Sequence, residues 1–131
     1  MEHRKILLIV SCGKKKADKL RDMNLPAIKA YKGPIFQVIE KAKREGRWNS
    51  NILIGIVSAK YGFLRENHII EYYDQRMTLR LSNLLNPGVI QAIAQWDEEE
   101  NFQIIYVLMG KDYLNAVNGL KEALDIEVII E

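Results

Sequence analysis

Three short segments of this chain place glycine and lysine directly after a hydrophobic run: Ser11-Cys12-Gly13-Lys14-Lys15-Lys16, Ser58-Ala59-Lys60-Tyr61-Gly62-Phe63 and Met109-Gly110-Lys111-Asp112-Tyr113. Glycine lets a backbone approach a ligand closely, and the lysine ammonium is a point charge for phosphate or carboxylate. Their recurrence points to one anion-bearing ligand, with Lys16 and Lys60 as the cations expected to contact it. Ser11, Cys12 and Gly13 would form the floor of such a site. Cys12 lies among lysines that favour a thiolate, which makes it a candidate nucleophile. A lone cysteine at a strand end is also a common small packed residue, and the residue types leave both readings open.

The second segment continues into a long excursion ending at Glu71-Tyr72-Tyr73-Asp74. Aromatic rings beside a carboxylate stack on a nucleobase and accept its ring or amino hydrogens, so Tyr61, Tyr73 and Asp74 are candidates to orient a base. The alternative is that Tyr72 and Tyr73 pack the excursion onto a sheet while Asp74 caps a turn or pairs with Arg76. Ser58 and Lys60 form a weak Ser-Lys pair, so Lys60 joins Cys12 and Asp74 as a candidate for chemistry. Gly62, Gly110 and Lys111 complete the ligand-binding candidates together with Ser58. Asp112 is placed to cap the last helix. The first loop has neither the leading glycine nor the Ser/Thr of a Walker motif, and it lacks the dinucleotide fingerprint, which disfavours ATP hydrolysis and NAD binding. Cys12, His3 and His68 make no zinc-like set; neither a metal nor a cofactor is expected.

Loops of this kind need a scaffold, and the hydropathy pattern supplies one. Lys5 to Val10, Ile52 to Val57 and Gln103 to Leu108 are continuous aliphatic runs suited to strands covered on both faces, and Ile126 to Ile130 is a fourth. Apolar residues at spacings of three and four predict helices over Pro26 to Glu45, interrupted at Gly33-Pro34, and over Leu81 to Trp96, with a break at Asn86-Pro87. A third helix is predicted over Asp112 to Leu124. Strands alternating with helices imply a three-layer α/β/α, Rossmann-like domain with a parallel four-stranded sheet, order 2-1-3-4. In such sheets ligands sit outside the carboxyl ends of the strands, where strand order reverses, and all three lysine-bearing segments follow strands. Ser58 to Thr78 lacks periodicity and is about twice the usual connection length, as functional loops often are.

The chain has 131 residues, 48% hydrophobic and 27% charged, the size and balance of one globular domain over residues 1–131. No apolar stretch approaches the roughly 18 residues of a membrane helix, and Met1 to Val10 is too short and strand-like for a secretory signal; a cytoplasmic protein is expected. The first 50 residues hold 13 Lys and Arg against 5 Asp and Glu, and the remainder 6 against 12. That asymmetry permits a basic face for phosphates or nucleic acid, although Lys41, Lys43, Arg44 and Arg47 also suit the end of a helix dipole.

The series Ile9 to Lys16, Tyr31 before a Pro-Ile-Phe segment, Val57 to Leu64, and Ile70 to Asp74 resembles a family of short bacterial, archaeal and phage proteins. Their signature is Ser-Cys-Gly-x-Lys-Lys, Ser-Ala-Lys-Tyr-Gly-Leu and Pro-Tyr-Asp, the last standing here as Tyr72-Tyr73-Asp74. The resemblance covers about the first 80 residues, with a looser echo at Met109 to Tyr113. More distantly the family is similar to a domain of archaeosine synthase, a transfer RNA modification enzyme acting on a deazaguanine base, in which a Cys is followed four residues later by Lys, as Cys12 and Lys16 are here. The resemblance implies a pocket for a purine-like base, nucleotide or other phosphate-containing ligand, with modification of a nucleotide or RNA as the associated activity. The rival reading is a nucleic-acid-binding module or subunit of a modification complex whose basic segment, Lys14 to Lys43, contacts phosphates without a deep pocket.

Overall fold

The computed structural model describes residues 4–131, so His3 lies outside the described residues. In chain order the elements are β1 (Lys5–Ser11), β2 (Leu25–Pro26), α1 (Ala27–Ala30), α2 (Pro34–Arg44), β3 (Ile52–Ser58), β4 (Gly62–Arg65), β5 (Ile69–Ile70), α3 (Leu79–Glu100), β6 (Phe102–Leu108), α4 (Leu120–Ala123) and β7 (Glu127–Ile130), with 3-10 segments at Asp18–Arg21 and Lys111–Val117. The fold is mixed α/β, with a mostly parallel five-stranded sheet in the order β4-β3-β1-β6-β7. Among the described residues no helix is long and apolar enough to cross a membrane.

β1 is the centre of the molecule. Its neighbours β3 and β6 run parallel to it, with Leu8 opposite Ile54 on one side and Tyr106 on the other. Side chains alternate across a strand, so Leu7 and Ile9 enter one core while Val10 and the following Cys12 enter the other. The first core is closed by α3, α4 and the 3-10 segment Lys111–Val117, through Val89, Ile93, Trp96, Val117 and Leu120. The second is closed by α1 and α2, through Ala27, Ala30, Phe36 and Ile39. The crossover from β1 to β3 therefore covers one face and the return from β3 to β6 covers the other, so strand order reverses between β1 and β6.

Four sequence expectations are corrected. The sheet has five strands because the excursion after β3 folds back at once: β4 pairs antiparallel with β3, Ser58 opposite Gly62. This four-residue strand carries no alternation long enough to stand out from the loop. Second, α3 does not break at Asn86-Pro87. Pro87 and Asn83, whose carbonyl loses its helical partner, are both exposed, so the orphaned oxygen is on the solvent side, where it need not be left unpaired. Third, the last predicted helix is a seven-residue 3-10 segment followed by the short α4, divided at Asn118-Gly119. Fourth, Asp112 lies within the first turn of that segment and Gly110 occupies the cap position.

Gly62 also moves from ligand contact to architecture. Its φ of +77° closes the tight turn back into β4, and a side chain there would meet Leu85 and Val89 of α3. Gly55 is required for a different reason: a Cβ would stand 2.3 Å from the Phe63 ring, which packs edge-on against Trp96. Gly55→Ala must push that ring out of the core. The expected cost is about 1–3 kcal/mol, to be read as a lower midpoint in urea unfolding; an unchanged midpoint would show that the Phe63 side of the sheet yields freely.

Candidate functional site

The excursion from β4 to α3 is strapped across the carboxyl ends of β1 and β3. It is tied down first by backbone: β5 pairs with β2, Leu25 opposite Ile70, and Ala27 and Ile28 donate their N–H groups to the His68 and Glu66 carbonyls. Three inward side chains then hold it, Ile70, Tyr73 and Met77, all buried. Between the last two, Asp74, Gln75 and Arg76 are exposed and form one wall of a cleft of about 380 Å³. The opposite walls come from Gly13, Lys14 and Lys16 after β1 and from Asp112 and Tyr113 after β6. The cleft thus lies in the crevice between the β1 and β6 loops, where strand order reverses.

The lysine run is divided by strand geometry. Lys16 forms an antiparallel bridge with Tyr31, Ala17 donates to the Ala30 carbonyl and Lys32 donates to the Lys15 carbonyl. The run is therefore extended from Lys15 to Ala17, where successive side chains take opposite sides, after a bend at Lys14. Lys14 and Lys16 line the cleft; Lys15 lines a separate groove that Lys16 also reaches. Among the described residues, Lys14, Lys16, Asp74, Arg76 and Asp112 have no ion-pair partner. In particular Asp74 does not pair with Arg76, so three cations and two carboxylates face the cleft uncommitted.

Beneath the cleft lies a chain of hydroxyls. Ser58 Oγ accepts the N–H groups of Lys60 and Tyr61, both at 3.2 Å, and lies 2.9 Å from Tyr73 Oη, which is 2.7 Å from Tyr31 Oη. With its lone pairs taken by the two amides, Ser58 has its own proton to donate to Tyr73. Burial pushes the Tyr31 hydroxyl up to about 12, its bond to Tyr73 opposing the shift. Burial pushes Tyr73 well above the usual phenol value, with nearby Cys12 adding to it and the Ser58 bond opposing. The Tyr73 ring also carries the Lys16 ammonium at 4.5 Å from its centroid and that of Lys60 at 5.9 Å, distances at which cation–π attraction operates.

Cys12 is 1% exposed, and its sulfur lies 3.3 Å from Tyr113 Oη. Tyr113 packs against both cores and covers the thiol from the cleft side. Two α3 side chains hold its segment: Ser82 Oγ donates to the Tyr113 carbonyl, and Asn86 Nδ2 donates to the carbonyls of Asn115, Ala116 and Asn118. Burial, then the bond to Cys12, raises the Tyr113 hydroxyl above its ordinary value.

The structure accordingly sorts the sequence candidates. Gly13, Lys16 and Asp74 line the cleft, Cys12 lies under its Tyr113 wall, and Ser58 and Tyr73 are its buried support. Lys60 does not line the cleft and stands 3.5 Å from Glu71. Tyr61 packs edge-on against Tyr73 and is hydrogen-bonded to the Glu71 backbone rather than open to a base. Ser11 Oγ accepts the Gly110 N–H at 3.4 Å, joining the β1 and β6 loops; neither residue lines the cleft, nor does Lys111. Tyr72 is exposed, contrary to the packing expected of it, with the Arg21 guanidinium stacked on it at 4.5 Å. Lys14, Arg76, Asp112 and Tyr113 were not singled out as ligand contacts. Their signal was present, since Lys14 and Tyr113 stand in lysine-bearing segments that follow strands.

A family model described as a family of unknown function, DUF6884, matches residues 7–130. The chain belongs to that family. No curated protein matches it. The matched range runs from β1 to β7 and contains every segment that lines the cleft.

Two outcomes are expected from the buried hydroxyls. Tyr73→Phe leaves Ser58 and Tyr31 short of a partner and should cost about 1–3 kcal/mol in denaturant unfolding. In the wild type, Tyr31 holds its proton to about pH 12 when folded but loses it near pH 10 when unfolded. Its contribution is therefore full below pH 10 and lost as pH rises towards 12, so unfolding free energy should be level through pH 9 and then fall; a level profile to pH 12 contradicts the burial argument. For Cys12, alkylation by iodoacetamide under native conditions should be slow and should accelerate by roughly tenfold or more in Tyr113→Ala, which uncovers the thiol. Equal rates in the two proteins, with both folded by circular dichroism, would show that Tyr113 is not the cover.

Proposed function

We propose that this chain binds a nucleotide, or a closely related phosphate ester of a purine-like base, in the cleft between the β1 and β6 loops. The observation that carries the reading is the position and charge of that cleft. It opens at the reversal of strand order, where open α/β sheets hold ligands, and it presents Lys14, Lys16 and Arg76 together with Asp74 and Asp112, none of them ion-paired within the described chain. Cations alone would suit free phosphate or sulfate. Carboxylates beside them suit a ligand that also carries hydrogen-bond donors, such as the amino and ring N–H groups of a purine or the hydroxyls of a sugar.

In this reading Lys14, Lys16 and Arg76 hold the phosphate, and Asp74 and Asp112 accept from the base or sugar. Tyr113 offers an aromatic wall for stacking. The four parallel strands, counted alone, run β3-β1-β6-β7, which we read as a Rossmann-like 2-1-3-4 arrangement with β4 added at the edge. The spacing of Cys12 and Lys16, which resembles that in a base-modifying domain, supports the same ligand class. Binding, rather than covalent chemistry at Cys12, is the activity the geometry supports best, because the thiol is covered. Cys12 would enter a reaction only after Tyr113 moves.

Calorimetric titration with adenosine and guanosine monophosphates, the free bases and inorganic phosphate tests the reading. A monophosphate should bind more tightly than either its base or phosphate. Lys16→Met and Asp74→Asn should each weaken it by about tenfold, as loss of one charge-assisted hydrogen bond requires. Binding indifferent to both substitutions, or none at millimolar ligand, would remove the cleft as the site.

A further inference from the structure

A second concavity adjoins the cleft across the extended Lys15–Ala17 strip. It measures about 620 Å³ and carries Lys15, Lys16, Lys19, Lys29 and Lys32 against the single carboxylate of Asp18. Of these lysines only Lys32 is ion-paired among the described residues, at 3.6 Å from Glu40. The lysines come from three separate segments: the strip after β1, the 3-10 turn at Asp18–Arg21, and α1 with the residues after it. Five ammonium groups facing one groove repel one another, so in isolation the arrangement costs stability, and it makes sense against a polyanion.

We infer that this groove holds the phosphodiester backbone of a single-stranded nucleic acid, whose adjoining nucleotide occupies the cleft. The inference rests on the cleft reading and names its substrate as a nucleotide within a strand rather than a free one. Lys16 lines both concavities, so one side chain spans the junction. A strand is favoured over an acidic protein because Met23 and Leu25 are the only large apolar residues lining the groove, too few to anchor a folded partner among five lysines. A single strand is favoured over a duplex because a base must be unpaired to enter the cleft. Tyr72, exposed on the strap with Arg21 stacked on it, is a second surface of the kind on which unpaired bases stack.

The test measures fluorescence anisotropy of a labelled RNA strand of about a dozen nucleotides, over a series of salt concentrations, alongside calorimetry of a nucleoside monophosphate. Wild-type affinity should fall with salt with a log–log slope of about −3, corresponding to roughly four neutralised phosphates. Lys19→Gln combined with Lys29→Gln leaves the cleft untouched. It should weaken the strand by about tenfold or more and reduce the slope by about 1.4, with monophosphate affinity unchanged to within about twofold. Strand affinity that ignores the double substitution overturns the inference. So does a polyglutamate of equal charge that competes as well as RNA, which would assign the groove to an acidic chain. A monophosphate that binds while the strand binds no tighter overturns the groove and spares the cleft. A strand that binds through the groove while the monophosphate does not bind at all spares the groove as a nucleic-acid surface and overturns the cleft.

Discussion

A phenol buried among aliphatic side chains must find hydrogen-bond partners, and Tyr73 finds two, Ser58 and Tyr31. That requirement joins three stretches of chain that are otherwise independent: the end of β3, the residue that closes α1, and the strap between β4 and α3. Each partner is itself constrained. Ser58 is fully buried and its oxygen organises the turn into β4 through the Lys60 and Tyr61 amides. Tyr31 is 1% exposed and pairs through its backbone with Lys16. A buried hydroxyl left alone costs about 1–3 kcal/mol, so the three settle together or not at all. Their settlement fixes both the strap and the lysine strip, which are two of the three walls of the cleft.

The third wall depends on the other core. Tyr113 belongs to a 3-10 segment, a form with poorer hydrogen-bond geometry than an α-helix, and α3 compensates with side chains rather than with backbone. One Asn86 amide reaches two carbonyls of the segment and that of Asn118 just after it, and Ser82 reaches the Tyr113 carbonyl. Ser82 and Asn86 stand four residues apart on one face of α3, which is why the two serve one segment. The cleft therefore stands between two cores, and β1 and β3 each place buried side chains in both.

How much of this was legible in the sequence follows from the range of the forces involved. Aliphatic runs announce strands, so β1, β3, β6 and β7 were readable, as was the interruption at Gly33-Pro34; the expected cover on both faces does not extend to β6 and β7, where Tyr106, Leu108 and Ile130 are exposed. The short β4 was not, because it exists through its antiparallel pairing with β3 and the ring of Phe63 over Gly55, both consequences of the turn at Ser58 to Gly62. The site was half legible. The rule that ligands meet strand ends selected Gly13, Lys16 and Asp74, which line the cleft. It also selected Lys60, Gly62 and Lys111, which share its segments but not its walls. Spacing along the chain locates a loop; which side chain faces inward depends on tertiary contacts such as the Lys16–Tyr31 bridge. The long strap read as aperiodic because Ile70, Tyr73 and Met77 follow neither a helical nor a strand period.

The charge asymmetry of the chain resolves into two populations with different fates. α2 spans roughly 16 Å at 1.5 Å per residue and runs opposite to the strands, so its basic end lies at the amino ends of β1 and β3, far from the cleft. There Lys43 meets Glu66, Arg44 meets Glu40 and Arg47 meets Glu45, while Arg65 and Glu99 form a two-bonded pair nearby. Those cations also complement the carbonyl end of α2, and the surplus is spent internally. At the carboxyl ends of the strands Lys14, Lys15, Lys16, Lys19 and Lys29 have no such partners. Net charge by itself is a statement about solubility and steering. Sorted by pairing, the same lysines gather at the end of the sheet where we place the ligand.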